Sequence, residues 1–295
     1  MKILHYFGYA LIRLFGRLPY RLLYFIGCLL GPIYWHLSKR DRHVTQANIN
    51  ACFPQLSDAE KLHISKSSMT HTVINALEGT WAWQHQYAVT GKKIRHVYGL
   101  ERVAAAESAD TGTLYLLGHF GNWEIFGSVG CHYANNMVGL GREFGIPLLD
   151  EHIRKGRQHS GVEMFPCTKA GLQALYAATA KGHSTALLTD QQPSLKHGVF
   201  SPFFGINALT SLLTQDMLQK TGAKVILTGL VRLPKGRGFD LHFLEADPDI
   251  YSAELSIATA AHNRSYEKLI ALAPEQYTWN YKRFSKRPDG ESRIY

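Results

Sequence analysis

Thr113-Leu114-Tyr115-Leu116-Leu117-Gly118-His119-Phe120-Gly121-Asn122-Trp123-Glu124 is the stretch on which the reading of this chain turns. Five apolar or β-prone residues run into a glycine, as in a buried strand. A second glycine, an asparagine suited to cap a helix and an acidic residue in the first helical turn follow. The stretch therefore predicts a strand, a sharp turn and a helix, with His119 in the turn. Gly118 and Gly121 let the backbone bend and approach a substrate closely. A turn histidine and a first-turn glutamate can meet if the chain folds back. Glu124 would then accept a hydrogen bond from one imidazole nitrogen, leaving the other as a general base near neutral pH. No protein nucleophile accompanies the pair, so the nucleophile would be a substrate hydroxyl. Without its surroundings the pattern is short and common by chance, and a capped helix beside a solvent-facing histidine is the better explanation; the preceding strand and the glycines shift the balance toward a site.

The surroundings repeat the strand-helix alternation. Apolar runs at 184–189, 224–231 and 239–244 read as strands; 122–133, 169–181, 208–221 and 253–272 read as helices. This predicts an α/β domain with a mixed, largely parallel sheet flanked by helices. Sites in such sheets form beyond the carboxyl ends of strands. Both His119 and Asp190 fall there. Residues 44–87 read as helical, with Asp58 as an N-cap.

Residues 3–37 are apolar but interrupted. Arg13, Arg17 and Arg21 share one helical face among leucines, a basic amphipathic pattern suited to an anionic membrane. The uncharged run from Leu22 to Leu37 is shorter than the roughly 20 residues of a clean span, and Gly31-Pro32 interrupts it. The expectation is a membrane-anchoring helical segment over 1–43 and a catalytic domain over 44–295, with packing of these helices on the domain as the alternative. Lys39, Arg40 and Arg42 favour the cytoplasmic side.

Lys and Arg number 32 against 23 Asp and Glu, a formal charge of +9. That suits an anionic partner. No zinc-finger spacing or RNA-binding aromatic signature is present, so nucleic acid is the weaker choice. The four cysteines form no CxxC pair, and the 15 histidines no His-Glu-x-x-His, so neither metal nor disulfide framework is implied.

Four blocks in order resemble the bacterial lipid A biosynthesis late acyltransferases, within the wider glycerolipid acyltransferase group. They are Gly118 to Glu124; Ile153-Arg154-Lys155-Gly156-Arg157; Thr189-Asp190-Gln191-Gln192-Pro193 with Phe200 to Gly205; and Ala273 to Trp279 with Lys282-Arg283-Phe284 and Arg287-Pro288. The resemblance implies transfer of a fatty acyl chain from acyl carrier protein to a hydroxyl of a phosphorylated glycolipid, the lipid A precursor. It implies a site at the cytoplasmic face of the cell inner membrane and no cofactor. His119 carries over as the base and Glu124 as its partner. Arg157 would bind an acceptor phosphate or stabilise an oxyanion. Asp190 would orient the acceptor hydroxyl or hold Arg157. Gly121 and Asn122 join them as candidate substrate-binding positions. Another glycolipid or aminolipid acceptor, or a non-catalytic lipid-binding protein, are the competing readings.

Overall fold

The computed structural model describes residues 2–141, 145–158 and 160–295. The chain opens with α1 (Lys2–Gly16), α2 (Tyr20–Leu37), α3 (Lys39–Cys52), α4 (Asp58–Ala82) and the short α5 (Tyr87–Thr90). The sheet region follows as β1 (Ile94–Tyr98), α6 (Leu100–Glu107), β2 (Thr113–Gly121), α7 (Trp123–Val129), β3 (Val138–Gly141), α8 (Pro147–Gln158), β4 (Glu163–Pro166), α9 (Lys169–Thr179) and β5 (Thr185–Leu188). Then come β6 (Gly198–Phe203), β7 (Ile206–Ser211), α10 (Leu213–Thr221), β8 (Lys224–Leu233), β9 (Gly238–Glu245) and α11 (Leu255–Ile270).

Seven strands form one sheet in the order β1-β9-β8-β2-β5-β3-β4. Every pairing is parallel except β8 with β9. The expected α/β class and largely parallel sheet are thus observed. β2 lies in the middle, largely apolar and buried on both faces up to His119, as central parallel strands are. One face carries a core of Leu114, Leu116, Leu227 and Tyr266; the other carries Tyr115, Leu117, Phe126 and Phe243.

Several boundaries differ from the sequence reading. Ser57, not Asp58, caps α4: its hydroxyl accepts from Glu60 N while the Glu60 carboxylate accepts from Ser57 N, a reciprocal box. Residues 206–211, partly assigned to a helix, form β7 of an antiparallel hairpin with β6. Phe204 and Gly205 both have positive φ, the geometry of a two-residue hairpin turn. Gly31-Pro32 does not interrupt α2, which runs through Pro32. Gly27 and Gly31 let α2 approach α4 closely, since Cβ atoms there would lie 2.5 Å from Ile74 Cγ1 and 2.4 Å from the Thr70 hydroxyl.

α2 packs along α4 through Leu23, Gly27, Gly31 and Trp35 and leaves its other face open. The expected boundary at 43/44 falls inside α3. Among the described residues, no helix is long and apolar enough to cross a membrane.

Candidate active site

β2 continues beyond Leu117 to Gly121, and its register with β8 shifts between those residues. That irregularity sets the His119 side chain at the strand's carboxyl end. The segment after α11 holds the backbone there. His119 O accepts from Thr278 N at 3.0 Å and Thr278 Oγ1 at 2.8 Å. Phe120 bridges to Tyr277. Ser68 and Asn48 tie Tyr277 O, Trp279 O and Tyr281 O to α4 and α3. The last of the four blocks thus clamps the first.

The partner of His119 differs from the expectation. Its Nδ1 lies 2.8 Å from Asp190 Oδ1, and its backbone N donates to Asp190 Oδ2 at 3.0 Å. Asp190 emerges from β5, the strand adjoining β2, so the parallel register delivers it beside His119. Its side chain is 1% exposed against 22% for His119. Burial disfavours the charged imidazole, yet the Asp190 carboxylate, with a smaller contribution from Glu124, outweighs it and raises the His119 pKa above 6.5. Burial likewise works against Asp190, but the imidazole and the backbone N–H hold its carboxyl below 3.8.

Glu124 is engaged elsewhere. Its two oxygens accept from Arg157 Nη2 at 2.8 and 3.1 Å, and Oε2 accepts from Trp83 Nε1 at 2.8 Å. The hydrogen bond that fixes the imidazole therefore runs to Asp190, not to Glu124. The physical reason is placement: Glu124 sits in the first turn of α7, facing α8 and the end of α4. Gly156 allows this meeting, because a Cβ there would lie 2.4 Å from Trp83 O. Arg157, one residue on, then reaches Glu124.

Two candidate substrate-binding residues are structural. Asn122 is fully buried; its Oδ1 accepts from Ile125 N, capping α7 as expected, and its Nδ2 donates to Glu78. Gly121 has φ +57, and a Cβ would lie 1.7 Å from Leu230 O. Neither lines the cavity beside His119. Asp190 contacts His119 instead of Arg157, so the reading that it holds Arg157 is also replaced.

Beneath the turn lies a network the sequence did not announce. Glu78 and Arg232 are both fully buried and paired at 2.6 Å. Glu78 also accepts from Tyr20 and Asn122, and Arg232 donates to Gly121 O and His71. Burial and the neighbouring guanidinium push His71 down to about 3, so it stays neutral and can accept. The signal for Glu78 was a charge on the helical stripe of Ile74, Leu77 and Trp81. Behind Asp190, Thr189 Oγ1 meets Tyr266, His262 and Thr214, and Tyr266 donates to Leu117 O.

His119, Glu124 and Arg157 share one wall of a cavity of about 780 Å³. Its other walls are apolar: Leu117, Phe126, Met137, Val162, Met164, Ala186 and Leu188, with Gln191 at the His119 end. Polar side chains thus gather on one part of the cavity and apolar ones line the rest. Phe203 and Phe204, in the third block, pack against Phe284, Phe53 and Trp279, away from this cavity.

A family model described as bacterial lipid A biosynthesis acyltransferase matches residues 1–286. The chain is 28% identical to the lipid A biosynthesis palmitoleoyltransferase of Escherichia coli (strain K12), over 99% of this chain and 94% of that protein. It is 27% identical to the lauroyltransferase of the same organism, over 97% and 93%, and 23% identical to its myristoyltransferase, over 90% and 82%. The His119 turn, the carboxylates and the apolar cavity stand within a matched region that spans nearly the whole chain, and the chain belongs to the bacterial lipid A biosynthesis acyltransferase family and is an acyltransferase.

Proposed function

We propose that this enzyme moves a fatty acyl chain from the thioester of an acyl carrier protein to a hydroxyl of a lipid A precursor. His119 is the general base, and Asp190 is its positioning residue. The carrying observation is the 2.8 Å bond from His119 Nδ1 to Asp190, which leaves Nε2 as the free nitrogen of a ring that lines the cavity. Nε2 takes the proton of the acceptor hydroxyl as that oxygen attacks the thioester carbonyl. The tetrahedral intermediate collapses with cleavage of the C–S bond. The imidazolium returns its proton to the leaving sulfur, so ester and free thiol are the products. Asp190 stabilises the imidazolium between these steps.

Arg157 supplies fixed positive charge at the polar part of the cavity, suited to the developing oxyanion or to a phosphate of the acceptor. Glu124 acts through Arg157, holding its guanidinium in place, and adds negative potential at His119. The apolar part receives the acyl chain; the cavity's volume falls within the roughly 300–1,000 Å³ of ligand pockets.

The enzyme works from the membrane surface. Leu22, Phe25, Leu29, Ile33 and Leu37 recur at helical spacing on the open face of α2 and are all exposed. Leu11 and Leu14 extend the patch onto α1, with exposed Arg13, Arg17 and Arg21 beside it. Such a face lies in the interfacial plane, with the arginines at anionic headgroups. This supports attachment to an anionic membrane surface.

Replacing His119 by Ala tests the chemistry. Purified protein supplied with acyl carrier thioester and lipid A precursor should lose about 10²–10⁴-fold in kcat while its thermal transition is retained. Normal transfer by that variant would refute the mechanism.

A further inference from the structure

The proposed acyl cavity also carries a record of chain length. Strand register turns it into a scale. Tyr115 on β2 lies opposite Ala186 on β5, Val138 on β3 lies opposite Thr185, and Gly139 lies opposite Met164 on β4. Tyr115, Ala186, Gly139 and Met164 therefore form one row across the sheet. Two of its four positions are nearly bare, which leaves a trough under α7. There Gly127 adds no side chain, and a Cβ would meet only Arg157 Cγ at 3.8 Å.

Met164 is the adjustable part of this row. Its Sδ lies 3.4 Å from the position of a Gly139 Cβ, and its Cε 3.4 Å from that of a Gly141 Cβ. The thioether thus lies over both glycines and narrows the trough. Met137 and Val162 line the cavity one row deeper.

The row of Gly139 and Met164 meets β2 at Tyr115, four residues before His119, roughly 13 Å at roughly 3.3 Å per residue; β3 and β4 lie two and three strands to the side, at roughly 4.8 Å per strand, so Gly139 is about 16 Å and Met164 about 20 Å from His119. An extended chain advances roughly 1.3 Å per carbon, given C–C bonds of about 1.5 Å. Its twelfth carbon or so then reaches Gly139, and about its fifteenth reaches Met164. We propose that Gly139 and Met164 are the specificity-determining pair for acyl length. Resting on the acyl-transfer reading, the assignment extends it to the donor.

The test offers full-length enzyme an equimolar mixture of saturated acyl carrier thioesters from 8 to 18 carbons with lipid A precursor, and weighs the products by mass spectrometry. The wild-type product distribution is the reference. Gly139→Val fills the trough and should move the preference at least two carbons shorter. Met164→Ala opens it and should move the preference at least two carbons longer, each with about a tenfold change in the ratio of 16- to 10-carbon product. If Gly139→Val does not fold, Ala186→Val on the same row reads the same contraction. Active variants with an unchanged product distribution would overturn the length assignment while leaving acyl transfer intact. A wild type that transfers no chain would overturn the underlying reading and the assignment with it.

Discussion

At the scale of single residues, the site separates two carboxylates by environment. Asp190 is sealed beneath His119 and faces the imidazole; Glu124 stands at the cavity wall and faces a guanidinium. Their contributions should separate on mutation. Glu124→Gln preserves shape but removes the charge paired with Arg157. We expect kcat/KM to fall about tenfold, equivalent to about 1.4 kcal/mol, in steady-state assays. The pH midpoint should move only slightly, because Glu124 is the lesser influence on His119. Glu78 belongs to stability. Glu78→Ala strands the buried Arg232 guanidinium, and such a loss costs about 3–5 kcal/mol, visible in denaturant unfolding. Sequence spacing brought His119 and Glu124 to notice because they are five positions apart in one turn. It left Asp190 between two roles, since its true partner lies 71 residues away and only strand register unites them.

At the scale of elements, long apolar strands and periodic helices were legible; short ones were not. β2, β5, β8 and β9 match runs of apolar residues, and α9 and α11 match helical stripes. β3 is Val-Gly-Leu-Gly and β4 is Glu-Met-Phe-Pro, compositions that carry little strand signal because glycine and proline are depleted in strands. The same glycines that hide β3 leave the cavity room. α2 was harder to read for another reason. Its sequence shows an apolar run, whereas its structure divides that run into a face on α4 and a face left open. The open face makes a prediction: Leu29→Glu with Ile33→Glu should reduce binding to anionic phospholipid vesicles at least tenfold in flotation assays, without shifting the thermal transition. Retained flotation would place the membrane contact elsewhere.

At the scale of the whole molecule, the sheet order gathers distant parts of the chain at one edge of β2. β5 brings Asp190, α7 and α8 bring Glu124 and Arg157, and the segment after α11 locks the His119 backbone. The buried dyad also links site and stability. With its pKa raised, His119 contributes stability fully below about 6.5 that is lost as pH rises through the folded value. With its pKa lowered, Asp190 contributes stability that is lost as pH falls through its folded value, below 3.8. In the proposed mechanism the base is the neutral imidazole, so transfer should rise as pH climbs through the raised His119 pKa. The pH dependence of kcat for the full chain, measured beside Asp190→Asn, tests the dyad most directly. The wild type should show an acid-limb midpoint above 6.5, and Asp190→Asn should lower that midpoint while cutting kcat about 10²-fold or more. An Asp190→Asn enzyme with unchanged midpoint and turnover would contradict the assignment of His119 and Asp190 as the catalytic pair.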